Sequence, residues 1–325
     1  MSDRPPVLVE TAAQQRAEAR AARDWTTADR LRAQIEDAGW KVIDVGTDFR
    51  LEPAAPPDVE VGGEIRYGRS DAVPSRLDEP ATGLASVILV ASNDPTETQS
   101  AFDALVRFAP DGSDVVVVAD GLPDRALEGL RGDALAARAG NVPVELVRTS
   151  AVLGHGAALN AGIRRASAAT VIAMDPSIIA TGDIVTPLAS ALDDPTVGVA
   201  GPFGLVSSDL RRFDEATAAG DAARDVAAVQ GYLMAFRRAD AIARGPLDEG
   251  FRYYRNLDIW WSLVLRDEGD GAVPRRAVAV PGVPVQRGEP RAWATTPVAE
   301  RDRLSKRNFY RVLDRFRTRG DLAVS

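Results

Sequence analysis

The chain has 325 residues, of which 45% are hydrophobic and 26% are charged, as in an ordinary globular protein. It contains no cysteine and a single histidine, His155, which excludes disulfides, thiolate metal sites and mechanisms that need two histidines. Its formal net charge of -8 argues against a protein that coats nucleic acid, because neutralising phosphates requires clustered Lys and Arg.

The N-terminal segment, residues 1–52, has the pattern of a small helical module. It begins without the apolar core of a signal peptide, and no long uncharged apolar run follows in the chain, so we expect a cytoplasmic protein. Apolar residues then recur three and four positions apart, as in an amphipathic helix: Trp25, Ala28, Leu31, Ile35 and Ala38. We predict a helical hairpin followed by a strand at Trp40–Val45.

Residues 53–83 break this pattern. They contain Pro53, Pro56, Pro57, Pro74 and Pro80 and several glycines, and they keep no sustained apolar period. The segment is therefore predicted to be a linker, with one short strand near Glu64–Tyr67.

From residue 84 to residue 325 the pattern predicts a single larger domain of the α/β class. Short β-branched strands are expected at residues 87–91, 115–119, 144–147 and 170–174, with helices between them, for example at 97–109 and 156–168. This alternation is typical of a mainly parallel sheet with right-handed crossovers and helices on its faces. Ligands bind such sheets beyond the carboxyl ends of the strands.

Polar residues follow these strands where glycines would be needed for a dinucleotide or P-loop site. Ser92, Asn93 and Asp94 follow the first strand, Asp120 the second and Asp175 the fourth. Carboxylates at such positions bind ribose, a base or a divalent metal. They also cap helix N-termini, and the residues alone leave both roles open.

An ordered set of segments resembles the family-2 glycosyltransferases. The segments are Asp120-Gly-Leu-Pro-Asp124, the glycine-rich residues 153–162, Asp175-Pro-Ser177 at the place of a D-x-D motif, residues 229–237 on the acceptor side, and residues 245–249 and 256–258 near the catalytic acid. Together they extend over residues 84–269 in the order of the family.

The resemblance implies a Rossmann-like fold of the GT-A type and inverting transfer from a nucleoside diphosphate sugar to a hydroxyl of a glycan or lipid-linked glycan, as in polysaccharide biosynthesis. Asp258 is then the general base, although it is also placed to cap the helix that follows. The other implied site residues are Ser92, Asn93, Asp120, His155, Asn160 and Asp175 for the nucleotide sugar, and Gly231, Asp248, Glu249 and Trp260 on the acceptor side.

Two of these positions have alternative interpretations. His155, in a Gly-His-Gly sequence, is either a donor contact or a turn residue. Trp260 and Trp261 are adjacent on a predicted helix, so that one is expected in the core while the other borders the acceptor.

The metal site departs from the family pattern. Ser177 replaces the second Asp of D-x-D, and no histidine follows the last strand, near residues 286–289. Either Asp175 and water hold Mg or Mn weakly, or Arg287 and Arg291 neutralise the diphosphate instead. A third interpretation is an inactive domain that still binds nucleotide or serves as a scaffold.

The two ends of the chain suggest further partners. Segments within residues 16–47 resemble the C-terminal tail of cysteinyl-tRNA synthetases, which implies either a tRNA contact or a docking module that binds no RNA. We favour the docking module and expect no nucleic acid.

Residues 299–319 predict an amphipathic helix with eight Lys and Arg against three Asp and Glu. Such a helix either lies on an anionic membrane surface or packs on its own domain.

Overall fold

The fold is described from a computed structural model over residues 5–46, 48–216, 222–288 and 295–325. At the N-terminus, helices α1 (Val7–Ala21) and α2 (Trp25–Asp37) pack on the antiparallel strands β1 (Trp40–Val45) and β2 (Asp48–Pro53). Their apolar side chains form a separate small core: Val9, Ala12, Ala13, Leu31, Ile35 and Trp40. The predicted helical hairpin and the strand after it are confirmed.

A mixed sheet occupies the centre of the remaining chain. Its strands, within the described residues, are β3 (Val59–Val61), β4 (Glu64–Tyr67), β5 (Ala85–Val90), β6 (Ser113–Ala119), β7 (Val144–Thr149), β8 (Thr170–Met174), β10 (Val197–Gly201), β13 (Arg224–Val226), β15 (Leu233–Arg237) and β16 (Arg276–Ala279). The strand order is β13-β16-β10-β15-β8-β5-β6-β7-β4-β3. Strands β4 to β8 are mutually parallel, and β15 runs antiparallel to β8.

Two smaller sheets lie beyond the main sheet, one of two strands and one of three. Strand β9 (Ile178–Ala180) pairs with β17 (Val285–Arg287). Strand β11 (Gly204–Val206) lies between β12 (Asp214–Glu215) and β14 (Ala228–Val229). Because β9 follows β8 closely in the chain, its pairing with β17 brings the segment around Arg287 to the carboxyl end of the central strands.

Helices cover both faces of the main sheet. One apolar core packs α5 (His155–Arg165), α7 (Arg238–Arg244), α8 (Leu257–Arg266) and α9 (Val298–Phe316). The other core packs α3 (Pro95–Phe108), α4 (Gly132–Ala139) and α6 (Val185–Ala191). This is the predicted α/β architecture, a mainly parallel sheet flanked by helices, and the prediction of the fold class is confirmed.

The segment predicted to be a linker contributes two strands to the sheet. Strand β4, expected at Glu64–Tyr67, pairs in parallel with β7, and β3 extends the edge. The buried Arg148 of β7 bonds to Glu64 at 3.0 Å and also pairs with Asp124. Proline-rich sequence did not prevent this pairing, because β4 itself contains no proline and the edge of β7 is open. The domain boundaries stay a prediction.

Candidate active site

Asp258 lies in the first turn of α8 and is held by two backbone groups. Its Oδ2 accepts a hydrogen bond from Gly231 N at 2.9 Å, and its Oδ1 accepts one from Ile259 N at 2.9 Å. The bond to Ile259 is local to the helix start, whereas the bond to Gly231 joins α8 to the segment before β15. Burial raises the pKa of Asp258 above its ordinary value, which makes the carboxylate a better proton acceptor.

A cavity of about 690 Å³ adjoins Asp258. Elements β8, β15, α5, α8 and α9 and the β11–β12 hairpin contribute to its walls. The predicted site residues that line it together are His155, Asp175, Gly231 and Asp258. A concave site with an apolar lining and a few convergent polar groups is the usual form of a small-molecule site.

His155 is the first residue of α5 and lies half-buried at the cavity wall. Its backbone N–H donates to Arg252 O at 3.0 Å, and its ring meets the edge of the Tyr254 ring at 6.3 Å between centroids. Burial lowers the pKa of His155 to about 4, so the imidazole is neutral at pH 7. His155 therefore starts a helix and also lines the cavity, and its contact with the donor stays a prediction.

Asp175 follows β8, and Ser177 uses one of its carboxylate oxygens. Oδ1 of Asp175 accepts from Ser177 N at 2.8 Å and from Ser177 Oγ at 2.5 Å. Burial raises the pKa of Asp175. Mg²⁺ and Mn²⁺ prefer several oxygen ligands, with carboxylates among them.

The residues around Asp175 do not fit a metal site built by the protein. Among the described residues there is no group of three or more His, Cys, Asp or Glu that could hold a metal ion. Ser177 offers a hydroxyl, and that hydroxyl already donates to Asp175. Arg291, the second arginine considered for the diphosphate, lies outside the described residues, whereas Arg287 lies on β17.

Asp120, at the end of β6, is committed to the loop before α5. Its carboxylate accepts from Leu153 N at 2.7 Å, Gly154 N at 2.8 Å and the Thr149 hydroxyl at 2.9 Å. Burial raises the pKa of Asp120 despite these donors. Gly121, which follows it, has φ +63°, and a Cβ there would lie 2.4 Å from Val152 N, so only glycine fits this approach. Asp120 lies outside the cavity.

Ser92 and Asn93 also lie outside the cavity, at the start of α3. Ser92 Oγ donates to Asp94 O at 3.2 Å, and Ser92 N donates to Thr98 Oγ1 at 3.0 Å. Asn93 is exposed. The capping role weighed for strand-end carboxylates is realised by Asp94, whose Oδ1 accepts from the N–H groups of Thr96 and Glu97.

Asn160 and Glu249 are hydrogen-bonded to each other and do not line this cavity. Their roles in binding stay predictions. Asn160 is buried, donates to Leu247 O and Glu249 Oε1, each at 2.9 Å, and accepts from Leu247 N at 2.9 Å. Glu249 also accepts from the Ser70 hydroxyl. These bonds occupy the amide, so Asn160 fastens α5 to the segment before α8 and does not line the cavity.

Asp248 and Trp260 also do not line this cavity, and their acceptor-side roles stay predictions. Asp248 pairs with Arg311 of α9 at 2.8 Å. Trp260 is buried between Phe251, at 5.7 Å, and the guanidinium of Arg315, at 5.3 Å. Trp261, the neighbour predicted to differ from it, is also buried and reaches the cavity lining. Arg315 of helix α9 covers Trp260, so that Trp261 and not Trp260 borders the cavity.

Helix α9 packs its apolar stripe on the domain. Val312 and Phe316 are buried, while Lys306 and Phe309 line the cavity. The sequence predicted this amphipathic helix, but no pattern in it connects residues 299–319 with Asp258. In the described part of the chain, no helix combines the length and the apolar character needed to cross a membrane. Peripheral contact through the charged side of α9 stays a prediction.

Together, the sheet order and the cavity at the carboxyl end of β8 define a GT-A-type domain. The sequence model of glycosyl transferase family 2 matches residues 86–253, just over half of the chain. The chain belongs to glycosyl transferase family 2. Asp258 lies shortly after the matched segment, and the N-terminal unit lies before it.

Solved structures are similar to this chain at low sequence identity, and the first of the two described here shares its fold. The crystal structure of GalNAc-T7 with UDP, GalNAc and Mn²⁺ is 15% identical with a TM-score of 0.57, over 72% of this chain and 48% of that chain. The mannosyltransferase PcManGT from Pyrobaculum calidifontis, in complex with GDP-Man and Mn²⁺, is 20% identical over 68% and 62% of the two chains, with a TM-score of 0.45. This chain therefore spans less than two thirds of either structure. No curated protein matches the sequence.

Proposed function

We propose that this protein is an inverting glycosyltransferase that moves a sugar from a nucleoside diphosphate sugar to an acceptor hydroxyl, with Asp258 as the general base. The observation that carries the proposal is the position of Asp258. Its carboxylate lines the cavity, is oriented by Gly231 N and has a raised pKa. Family membership supports the same class of reaction.

In the proposed step, the acceptor hydroxyl enters the cavity and donates to the Asp258 carboxylate. Its oxygen attacks the anomeric carbon of the donor from the face opposite the diphosphate. The new C–O bond forms as the bond to the diphosphate breaks, and the proton passes to Asp258. The nucleoside diphosphate leaves with the bonding electron pair, so the anomeric configuration is inverted.

The cavity lining supports an acceptor with an apolar part. Much of the wall is hydrophobic, with contributions from Leu159, Ile163, Leu205, Phe213, Met234, Phe236, Leu247, Leu257, Ile259, Trp261 and Phe309. Its charged groups are of both signs, since Arg211 and Lys306 line it together with Glu215 and Asp302. Apolar chains gain free energy from such burial, whereas bare glycans bring many hydroxyls that need hydrogen-bond partners. A lipid-linked acceptor fits this lining better than a free polysaccharide.

The test is turnover of a panel of nucleoside diphosphate sugars with two acceptor sets, short polyprenyl phosphates and free oligosaccharides. Products are identified by mass spectrometry and their anomeric configuration by NMR. We expect transfer to the lipid acceptor with inversion, and loss of transfer in Asp258→Asn. Asp225→Asn is the matched control, because Asp225 lies on the edge strand β13, pairs with Arg276 and does not line the cavity.

Retention of configuration, or an Asp258→Asn variant as active as the unchanged protein, would contradict the proposal. The second candidate is a domain that binds nucleotide without turnover, which the replacement of a metal-binding Asp by Ser177 favours. Binding of a nucleoside diphosphate with no hydrolysis or transfer of any donor would support that candidate.

A further inference from the structure

Arg287 packs over two adjoining aromatic rings beside the cavity. Its guanidinium carbon lies 4.9 Å from the centroid of the Phe203 ring and 5.0 Å from that of the Tyr232 ring. The two rings meet edge to face at 5.9 Å. Such contacts orient a guanidinium without occupying its N–H donors. The rings therefore fix the orientation of the Arg287 guanidinium and leave its N–H groups able to donate to a ligand.

The same arginine adjoins the Asp175–Ser177 turn. Strand β17 pairs with β9 so that Arg287 lies opposite Ile178, the residue after Ser177. Gly288 N donates to Ser177 O at 2.9 Å, and Asp175 N donates to Tyr232 O at 2.9 Å. The turn that replaces D-x-D and the aromatic support of Arg287 are therefore tied together by backbone hydrogen bonds.

Among the described residues, two side-chain oxygens make long hydrogen bonds with Arg287. Its Nη1 lies 3.4 Å from Glu215 Oε1 and 3.4 Å from Gln230 Oε1, both long for a charge-assisted hydrogen bond. The side chains of Arg287 and Glu215 are 34% and 65% exposed. An anionic ligand with closer oxygens can replace these contacts at little cost, since exposed ion pairs contribute little free energy.

We propose that Arg287 neutralises the diphosphate of the donor in the place where a divalent metal would act. This inference rests on the proposed function. A guanidinium presents paired N–H donors that match two phosphate oxygens, and it stabilises the negative charge that develops on the leaving diphosphate. Ser177 is then consistent with an active enzyme, because the second metal-binding carboxylate is not needed.

The first test measures binding of UDP, GDP and ADP to the full chain by calorimetry, with EDTA or with MnCl₂. We expect binding of at least one diphosphate in EDTA, and an affinity that changes less than about threefold with Mn²⁺. Arg287→Ala is expected to weaken that binding by about 10- to 100-fold, the range for loss of a charged hydrogen-bond donor. The matching monophosphate should lose less, and Arg287→Lys should retain part of the affinity.

Arg276→Ala is the matched control, because Arg276, on β16, pairs with Asp225 and Asp194 and does not line the cavity. It should bind as the unchanged protein does. Thermal unfolding of each variant shows whether a loss of binding reflects a loss of fold.

A second variant tests the exchange of guanidinium for metal directly. In Arg287→Ala combined with Ser177→Asp, the turn carries two carboxylates, and we expect diphosphate binding to recover with Mn²⁺ and to be lost in EDTA. Loss of binding in EDTA by the unchanged protein, or unchanged affinity in a folded Arg287→Ala, would overturn the inference and leave the proposed function intact. Absence of diphosphate binding under all conditions would overturn both.

Discussion

Asp120 and Asp258 are both carboxylates that accept backbone N–H groups and have raised pKa values, yet their surroundings differ. Asp120 receives two amides and the Thr149 hydroxyl, and it lies outside the cavity. Asp258 receives one amide on each oxygen and lines the cavity. Since a carboxylate has about four acceptor positions, Asp258 retains capacity for an acceptor hydroxyl. The comparison teaches that free acceptor capacity and access to a cavity, more than charge or burial, distinguish a candidate base from a structural carboxylate.

The largest effect is expected at the candidate base. Asp258→Asn should lower kcat by about 10²- to 10⁴-fold, because the amide cannot accept the acceptor proton. The free energy of unfolding should fall by about 1–3 kcal/mol, because the amide oxygen can accept only one of the two backbone N–H groups, and the variant should still fold. Steady-state kinetics and calorimetry measure the two quantities. Loss of fold together with activity would instead make Asp258 a structural carboxylate.

Asp120→Asn should act chiefly on stability. It removes an acceptor for one of the amides of Leu153 and Gly154, and we expect the free energy of unfolding to fall by about 1–3 kcal/mol. Chemical denaturation measures this loss. Unchanged stability with lost affinity for nucleoside diphosphates would instead support the contact with the nucleotide base that the family resemblance implies.

Gly231→Ala tests how tightly Asp258 must be held. A Cβ at residue 231 would lie 3.1 Å from Asp258 Cβ and 3.5 Å from its Oδ2, so the carboxylate must move by a few tenths of an ångström. We expect kcat to fall by about tenfold, since small displacements of a catalytic group are costly. Gly320→Ala is the control, because nothing lies near its added Cβ. Equal kinetics for both variants would show that the Gly231 contact does not orient the base.

The smallest of the expected effects is a pH dependence of kcat/KM that follows the ionisation of Asp258. The base must be ionised, so kcat/KM should rise as pH increases through the raised pKa of Asp258 and then level off. The rise should lie above the ordinary Asp pKa of about 3.9. His155, with a pKa of about 4, is neutral near pH 7. A pH–rate profile tests this, and a profile that stays level from neutral pH down to about pH 4 would mean that burial does not raise the pKa of the base.

As pH rises, the contribution of Asp258 to the free energy of unfolding should fall while kcat/KM rises. Because the pKa of Asp258 is raised in the folded state, its contribution to the free energy of unfolding is present at low pH. That contribution is lost as pH rises through the folded pKa. The condition that ionises the base is therefore also the one that destabilises its site.

The sequence by itself determined the α/β class, the N-terminal hairpin and strands such as β8, because β-branched runs and helical periods are local properties of the chain. Glycine and carboxylate segments in the family order also pointed to Asp175, Gly231 and Asp258, which the structure brings to one cavity. The roles of these residues stay predictions until turnover is measured.

Only the tertiary structure decided which strand-end residues have access to that cavity. Asn160, Glu249, Asp248 and Trp260 match family segments, but long-range partners occupy or bury them. Arg287 meets Phe203 and Tyr232 through the pairing of β17 with β9. Such contacts join residues far apart in the chain, and local patterns do not encode which of them will meet.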